Sequence, residues 1–359
     1  MAATLGQVPP ITPVAPPVRR RPQAMTPREQ VATAGAAVVA AVATTFLFAV
    51  TPLSGPLGWF LVTYATFLAV EAAQVARRTD IHAARDRMAT IAITSSAAVA
   101  LVPLGFIIWY IVSKGLEGMH AGFFTETLEE VGPLDPATAG GAQHAIIGTI
   151  QQVGLASLIA TPLGILTAVY LSEYPGRLTR VVRFFVDSMS GIPSVVAGLF
   201  VYTLWVLRLD KGFSGLAAAM ALAVLMLPTV ARTAEEMLKL VPDGLRESAL
   251  ALGAPKWRTV VRIVLPTARS GLVTAAILGV ARIAGETAPL LMTAFGTDSV
   301  NTDPTSGPQS ALPLFVYQRV RNAVPAQVAK GWTGALVLIL LVLTLFTLAR
   351  LVGRTRKAA

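Results

Sequence analysis

Arg282 and Glu286 lie four residues apart inside an otherwise apolar run, SGLVTAAILGVARIAGETAPLLMTA, which begins at Ser270. Ionisable side chains in such a run are expensive to bury in a bilayer, and by default they mark a function. The planar guanidinium of Arg282 can donate two parallel hydrogen bonds to an oxyanion such as phosphate. Glu286 can accept the P–OH proton of a protonated phosphate, and fully ionised sulfate has no such proton to give. A plainer chemistry is a salt bridge that neutralises both groups so the helix can enter the membrane, although Arg before Glu is the less favourable order at this spacing on a helix. The residues alone leave both readings standing. Gly271, Ala275 and Gly279 form a small-residue stripe that admits a neighbouring helix, and Gly285 and Pro289 invite a break beside the pair.

The elements that must position this pair are transmembrane helices. Of 359 residues 54% are hydrophobic and 13% charged, a composition that belongs in a bilayer. A helix crosses the hydrocarbon with about 20 apolar residues. The apolar stretches are continuous rather than alternating, which excludes a β-barrel. Eight spans are expected, at roughly 31–51, 57–76, 89–112, 145–171, 184–207, 213–231, 270–293 and 333–352. Residues 1–30, rich in Pro and carrying Arg19, Arg20 and Arg21, read as a disordered basic tail. Residues 31–76 read as a transmembrane hairpin.

The net charge of +10 is distributed in short clusters between the spans, which is the positive-inside pattern rather than a nucleic-acid surface. Arg77, Arg78, Arg85 and Arg87 place one loop inside. Glu117, Glu126, Glu129, Glu130 and Asp135 place the next outside, and Arg177, Arg180 and Arg183 return the chain to the inside. Both termini are then cytoplasmic in a multi-pass protein of the inner or plasma membrane. The loop at 296–330 falls outside despite Arg319, Arg321 and Lys330, against the rule. Cysteine is absent, which removes disulfides and thiolate sites, and His82, His120 and His144 lack metal-ligand spacing and read as surface or loop residues.

Residues 241–266 read as two short helices with a bend between them. Asp243 is expected to cap the first, Gly253 to end it in the left-handed region, Pro255 to open the second and Pro266 to close it. Leu245, Ala249 and Leu252 share one face of the first helix, and Trp257, Val261 and Val264 one face of the second. Such a surface suits a groove on a soluble partner or, equally from the pattern, the headgroup region of the membrane. The spacing is specific: Glu247, Ser248, Ala249, three residues, Gly253, nine residues, Ile263, one residue, Leu265, Pro266. It resembles the EAA loop of ABC importer permeases, departing in Ser248, where that family usually has Ala. In that family the loop seats in a cleft of the ATPase subunit, which implies an ATPase-coupling role for Glu247, Ala249, Gly253, Ile263, Leu265 and Pro266. No Gly is followed directly by Lys, so no Walker A sequence is present and the nucleotide-binding subunit is a separate chain.

Four stretches extend the likeness: ARIAGETAPLL from Ala281, GTIQQVGLASLIATPLGILTAVYLSEY from Gly148, SGIPSVVAGLFVY from Ser190, and LPTVARTAEEMLKLVPDGLRESALALGAPKW from Leu227. They are similar to the PstA-type permease of the phosphate-specific ABC transporter, over roughly residues 89–357. The resemblance implies an all-α polytopic membrane protein with a six-helix permease core, here within residues 77–357, to which the N-terminal hairpin adds two helices. It implies no enzyme activity in this chain, a PstC-type permease as heterodimer partner, an ATPase dimer that binds ATP and Mg, and an external phosphate-binding protein. It also places weight on Arg282, Glu286 and Arg232 as residues of the substrate pathway, although a cation ending the sixth span is equally a membrane-face anchor. A permease for sulfate or molybdate, a secondary transporter and a membrane signalling component are the alternatives. A secondary transporter is expected to show inverted repeats and its own coupling-ion site, neither of which is evident.

Overall fold

The structure, a computed structural model, describes residues 26–52 and 54–353, and among these the regular secondary structure is helical. It divides into two compact units, one ending at Leu104 and the other beginning at Gly105.

The first unit holds α1 (Pro27–Val50), α2 (Pro56–Arg78) and the start of α3 (Ile81–Glu117). A capping box starts α1: Thr26 Oγ1 accepts from Glu29 N–H at 3.4 Å, and Glu29 Oε2 accepts from Thr26 N–H at 2.7 Å. The helix therefore begins inside the segment expected as tail, whose residues 1–25 lie outside those described. Gly55, with φ +101°, turns the chain into Pro56, and Asp80 caps α3 by accepting from Ala83 N–H at 2.6 Å. A triad centred on the buried Glu71 binds the three helices: Thr33 donates to Glu71 at 2.8 Å, and Arg87 reaches Glu71 at 3.1 Å and Thr33 at 3.0 Å.

The second unit continues through α4 (Gly122–Thr125), α5 (Gln143–Glu173), α6 (Arg177–Ser190), α7 (Ser194–Val201, prolonged as a π-helix Tyr202–Arg208) and α8 (Gly215–Lys239). Then come α9 (Asp243–Ala251), α10 (Lys256–Thr259), a π-helical turn Val260–Val264, α11 (Leu265–Thr267), α12 (Arg269–Ala284), α13 (Ala288–Thr293), α14 (Leu312–Val320) and α15 (Pro325–Gly353). Among the described residues six helices are long and apolar enough to span a membrane, and two bent pairs raise the number to eight when each is taken as one span.

The bends revise the expected spans. The fifth, expected straight over 184–207, turns by 105° between α6 and α7, because Pro193 lacks an N–H and biases Ile192 away from helix. Its first half is an amphipathic helix carrying Arg177, Arg180 and Arg183. The sixth does not stop at residue 231 but runs to Lys239. The seventh, expected over 270–293, is broken at Gly285–Thr287, and the loop helix before it joins at 72° at Ala268, so Pro266 lies one residue before that helix end rather than at it.

The core of this unit is built on α8, whose Ala217, Ala218, Ala219 and Ala221 are fully buried. Small residues let its neighbours approach closely. A Cβ at Gly164 of α5 would meet Val230 at 2.9 Å, and one at Gly279 of α12 would meet Val230 Cγ2 at 2.6 Å. Gly271 lies on Met237, so the small-residue stripe of α12 packs antiparallel on α8.

A polar clasp fixes the loop after α13 to α5. Gln152 Nε2 donates to Gln309 Oε1 at 3.0 Å and to the Ser310 carbonyl at 3.1 Å, Gln309 Nε2 donates to Gln151 Oε1 at 2.6 Å, and Leu312 N–H donates to Thr149 Oγ1 at 2.7 Å. In the same loop the Thr305 hydroxyl, the Ser306 hydroxyl and the Thr305 N–H donate to Asp303 and hold its carboxyl below the ordinary aspartate value. His144 departs from its expected surface position. It is buried at the start of α5, 5.8 Å from the Phe315 ring and with Nε2 3.9 Å from Asp298, too far for a hydrogen bond.

Candidate translocation site and coupling surface

Gly198 of α7 packs so tightly on Pro289 of α13 that a Cβ there would lie 2.7 Å from Pro289 Cα. This contact fixes α13 after the break Gly285–Thr287. Arg282 stands on the last turn of α12, and Glu286 lies in the break, its N–H donating to the Ile283 carbonyl at 3.1 Å. Helix does not run through the pair, so the helix-order argument against it does not apply. Arg282 Nη1 donates to Glu286 Oε1, with the arginine side chain 48% exposed and the glutamate 14%. A guanidinium carries five donors, so most of this one remains available beside the break.

Arg232 does not end its helix. It sits about two turns before the end of α8 and pairs with Asp187 of α6. One turn on, buried Glu235 is flanked by Arg183 of α6 and Lys239, each at 2.7 Å. These pairs fasten the amphipathic α6 along the lower half of α8. Sequence reasoning passed over Asp187 and Glu235 and read Arg183 only as an inside-facing charge. Their only signal was charge placed every three or four residues on two helices whose bend it did not anticipate. Gly279 packs on Val230 and Met226 while Gly271 packs on Met237, so Arg282 and Arg232 occupy different levels along the α8–α12 pair. Sequence reasoning placed Arg282, Glu286 and Arg232 together on the pathway. The structure joins the first two and gives Arg232 a separate partner.

The segment 241–266 does form two short helices around a bend, and Gly253 adopts φ +80°. Asp243 is not the cap. It occupies the first helical position behind Pro242 and accepts instead from Arg246 Nη1 at 3.1 Å. Arg246, overlooked in the sequence, spends all its donors here. Nε and Nη2 reach Glu173 of α5 at 3.1 and 3.0 Å, Nη2 also reaches the Leu238 carbonyl at 2.9 Å, and Nη1 the Val241 carbonyl at 2.6 Å. The ends of α5 and α8 are thereby clamped to α9. Lys256 lies over the Tyr174 ring at 4.8 Å and ties α10 to the end of α5.

The clamp sets which faces look outward. Ala249 and Val264, expected on the presented face, are buried, while Leu245, Leu250, Leu252, Trp257 and Val261 are exposed. Glu247, Gly253 and Pro266 are exposed, and Ile263 and Leu265 are half-buried. The exposed set makes an apolar surface around the bend, edged by Lys256, Arg258 and Arg262.

Broken and bent spans around a charged pair, with a clamped two-helix loop beneath them, define a membrane subunit of a transport system. The family described as "Binding-protein-dependent transport system inner membrane component" matches residues 160–357, and the chain belongs to it. It is thus a multi-pass inner-membrane transport component rather than an enzyme, of a family that works with an ATPase and a binding protein. "Phosphate transport system permease protein PstA 1" of Mycobacterium tuberculosis (strain CDC 1551 / Oshkosh) is 44% identical over 263 residues, 73% of this chain and 86% of the relative. "Phosphate transport system permease protein PstA" of Yersinia pestis is 42% identical over 272 residues, 74% of this chain and 90% of the relative. Within the family, the chain is of the PstA type. Among solved structures, an inward-facing form of the MetNI methionine ABC transporter overlays with a TM-score of 0.45 at 24% identity, covering 60% of this chain and 95% of that one. A bacterial ABC transporter that imports alginate overlays at 0.46 and 15% identity, covering 74% and 99%.

Proposed function

We propose that this chain carries inorganic phosphate from an extracellular binding protein to the cytoplasm. In this reading a PstC-type permease completes the path, and a separate ATPase dimer that binds ATP and Mg supplies the energy. The observation that carries the reading is the Arg282–Glu286 pair at the α12–α13 break, in a chain whose relatives are named as phosphate permeases.

Glu286 engages one donor of Arg282 and leaves others free for an incoming anion. As phosphate takes the guanidinium in a bidentate grip, Glu286 exchanges its arginine for the P–OH proton, so the carboxylate is never left facing a bare anion. Phosphate reaches this pair with a proton to offer and sulfate does not, which gives selectivity without a change of charge at the arginine. Arg232, paired with Asp187 at another level, acts as a second station whose guanidinium the anion borrows from an aspartate.

The exposed ring of Leu245, Leu250, Leu252, Trp257 and Val261 serves as the ATPase contact, with Glu247, Ala249, Gly253, Ile263, Leu265 and Pro266 shaping it. Both termini face the cytoplasm. The loop that weakened this topology supports it better once folded, since Arg319 is paired with Asp298 and Lys330 is buried, which leaves fewer displayed cations on that side. Residues 31–76 act as an accessory hairpin to the permease domain at 77–357.

The test is a substitution cycle on the assembled transporter. With normal membrane levels, Arg282→Gln combined with Glu286→Gln removes both charges of the span together, so the protein inserts and assembles yet transports no phosphate. Uptake by the double variant near the unmutated rate shows the pair to be structural and overturns the reading.

A further inference from the structure

The first unit carries a groove that the transport reading does not use. Helices α2 and α3 are joined by only Thr79 and Asp80, and side-chain bridges join them on one side, Glu71 to Arg87 and the Tyr64 hydroxyl to Ser95 at 2.6 Å. On the other side Ala72, Ala73 and Ala76 of α2 face Ile81, Ala84 and Met88 of α3 across a groove of about 430 Å³, with Arg85 at its mouth. Three alanines at this spacing leave the volume open.

The charge around the groove is one-sided. Arg77 lies one turn beyond Ala73 on the same helical face. Arg77 and Arg85 are exposed and have no partner among the described residues, and the lining of the groove includes no carboxylate. The polar cavity on the bridged side differs in kind. It holds about 440 Å³ and sets Glu29, Glu71 and Asp86 against Arg78 and Arg87, a balance that repels an anion. Asp86, next to Arg85 in sequence, lines that other cavity, and Asp80 is occupied in capping α3.

An apolar trough lined by Arg85, with the unpaired Arg77 one helical turn beyond it at the end of a membrane hairpin, matches an amphiphile with one chain-like body and an anionic head. We infer that the α2–α3 groove is a binding site for an anionic phospholipid, with one acyl chain along Ala72, Ala73, Ala76, Ala84 and Met88 and the phosphate between Arg77 and Arg85. Basic pockets between transmembrane helices hold anionic headgroups in this way. The first unit thereby gains a ligand of its own.

Native mass spectrometry of the full chain, purified with its partner subunits and offered phosphatidylglycerol or phosphatidylcholine of equal chain length, tests the site. Each arginine at an anionic headgroup is worth about fivefold in binding, so the unmutated protein is expected to retain phosphatidylglycerol about 25-fold over phosphatidylcholine. Arg77→Gln with Arg85→Gln brings the two lipids level. Ala76→Leu, which keeps both arginines and fills the trough, lowers phosphatidylglycerol retention at least fivefold, and it carries the test alone if the arginine variant fails to accumulate. Equal retention of the two lipids by the unmutated protein overturns the inference. So does an unchanged phosphatidylglycerol preference in the arginine variant, which would leave the arginines as topological anchors only, or an unchanged phosphatidylglycerol retention in Ala76→Leu.

Discussion

Replacing Arg246 with alanine removes a guanidinium that joins α5, α8 and α9 through all five of its donors. Glu173, only 7% exposed, then loses its counter-ion, and the Leu238 and Val241 carbonyls lose a donor. Breaking a buried pair by deleting one partner costs about 3–5 kcal/mol. Arg246 is itself 17% exposed, which puts the expected cost at the lower end, about 3 kcal/mol. That shifts the equilibrium between a docked and an undocked α9 by about 100-fold. Amide hydrogen exchange reports this opening directly. The amides of residues 243–251 are expected to exchange about 100-fold faster in the alanine variant, while those in the middle of α8 keep their protection. Adding Glu173→Gln removes the uncompensated charge and restores part of the protection, because the two sites are coupled. Arg246→Lys, a point charge without the fork, falls between. If exchange over 243–251 stays within threefold of the unmutated protein, the clamp does not hold the loop and the argument fails.

Gly279→Val places new atoms where a Cβ alone already lies 2.6 Å from Val230, and such overpacking costs about 1–3 kcal/mol. The thermal midpoint of the purified complex should fall, and an unchanged midpoint would contradict the α12–α8 packing. Gly253 has φ +80° with nothing within 4 Å of an added Cβ, so its constraint is conformational rather than steric. Gly253→Asn is therefore expected to keep ATPase co-purification while the β-branched Gly253→Val loses it, and equal behaviour of the two refutes that account.

The spans were legible because length and continuous apolarity are local properties, and so was Gly253, because a glycine closing a short helix has one common use. The bend at Pro193 escaped because it falls inside a stretch apolar enough to pass as one span, whereas the bend at Ala268 lies between two elements that Pro266 already separated in the sequence. The ion pairs escaped for another reason. Arg246 meets Glu173 across 73 residues of sequence, and no local pattern announces such a meeting. Arg246 also explains two misreadings in α9: its Nη1 takes the Asp243 carboxylate away from the cap, and its clamp on Glu173 turns Ala249 inward. Arg282 and Glu286 were found because charge inside an apolar run is conspicuous. That the helix stops between them was hinted at by Gly285 and Pro289.

The central claim is that Arg282 and Glu286 together recognise a protonated oxyanion. The most direct measurement is ATP-dependent phosphate uptake into proteoliposomes holding the complete transporter and its binding protein, with sulfate as competitor, for the unmutated chain and for Glu286→Gln. The account expects uptake by the unmutated chain to withstand a tenfold excess of sulfate. It expects Glu286→Gln to lose more uptake at high pH than at low pH, because the singly charged phosphate keeps one more proton to donate. Sulfate competing at parity with phosphate, or a Glu286→Gln uptake profile that parallels the unmutated one across pH, would contradict it.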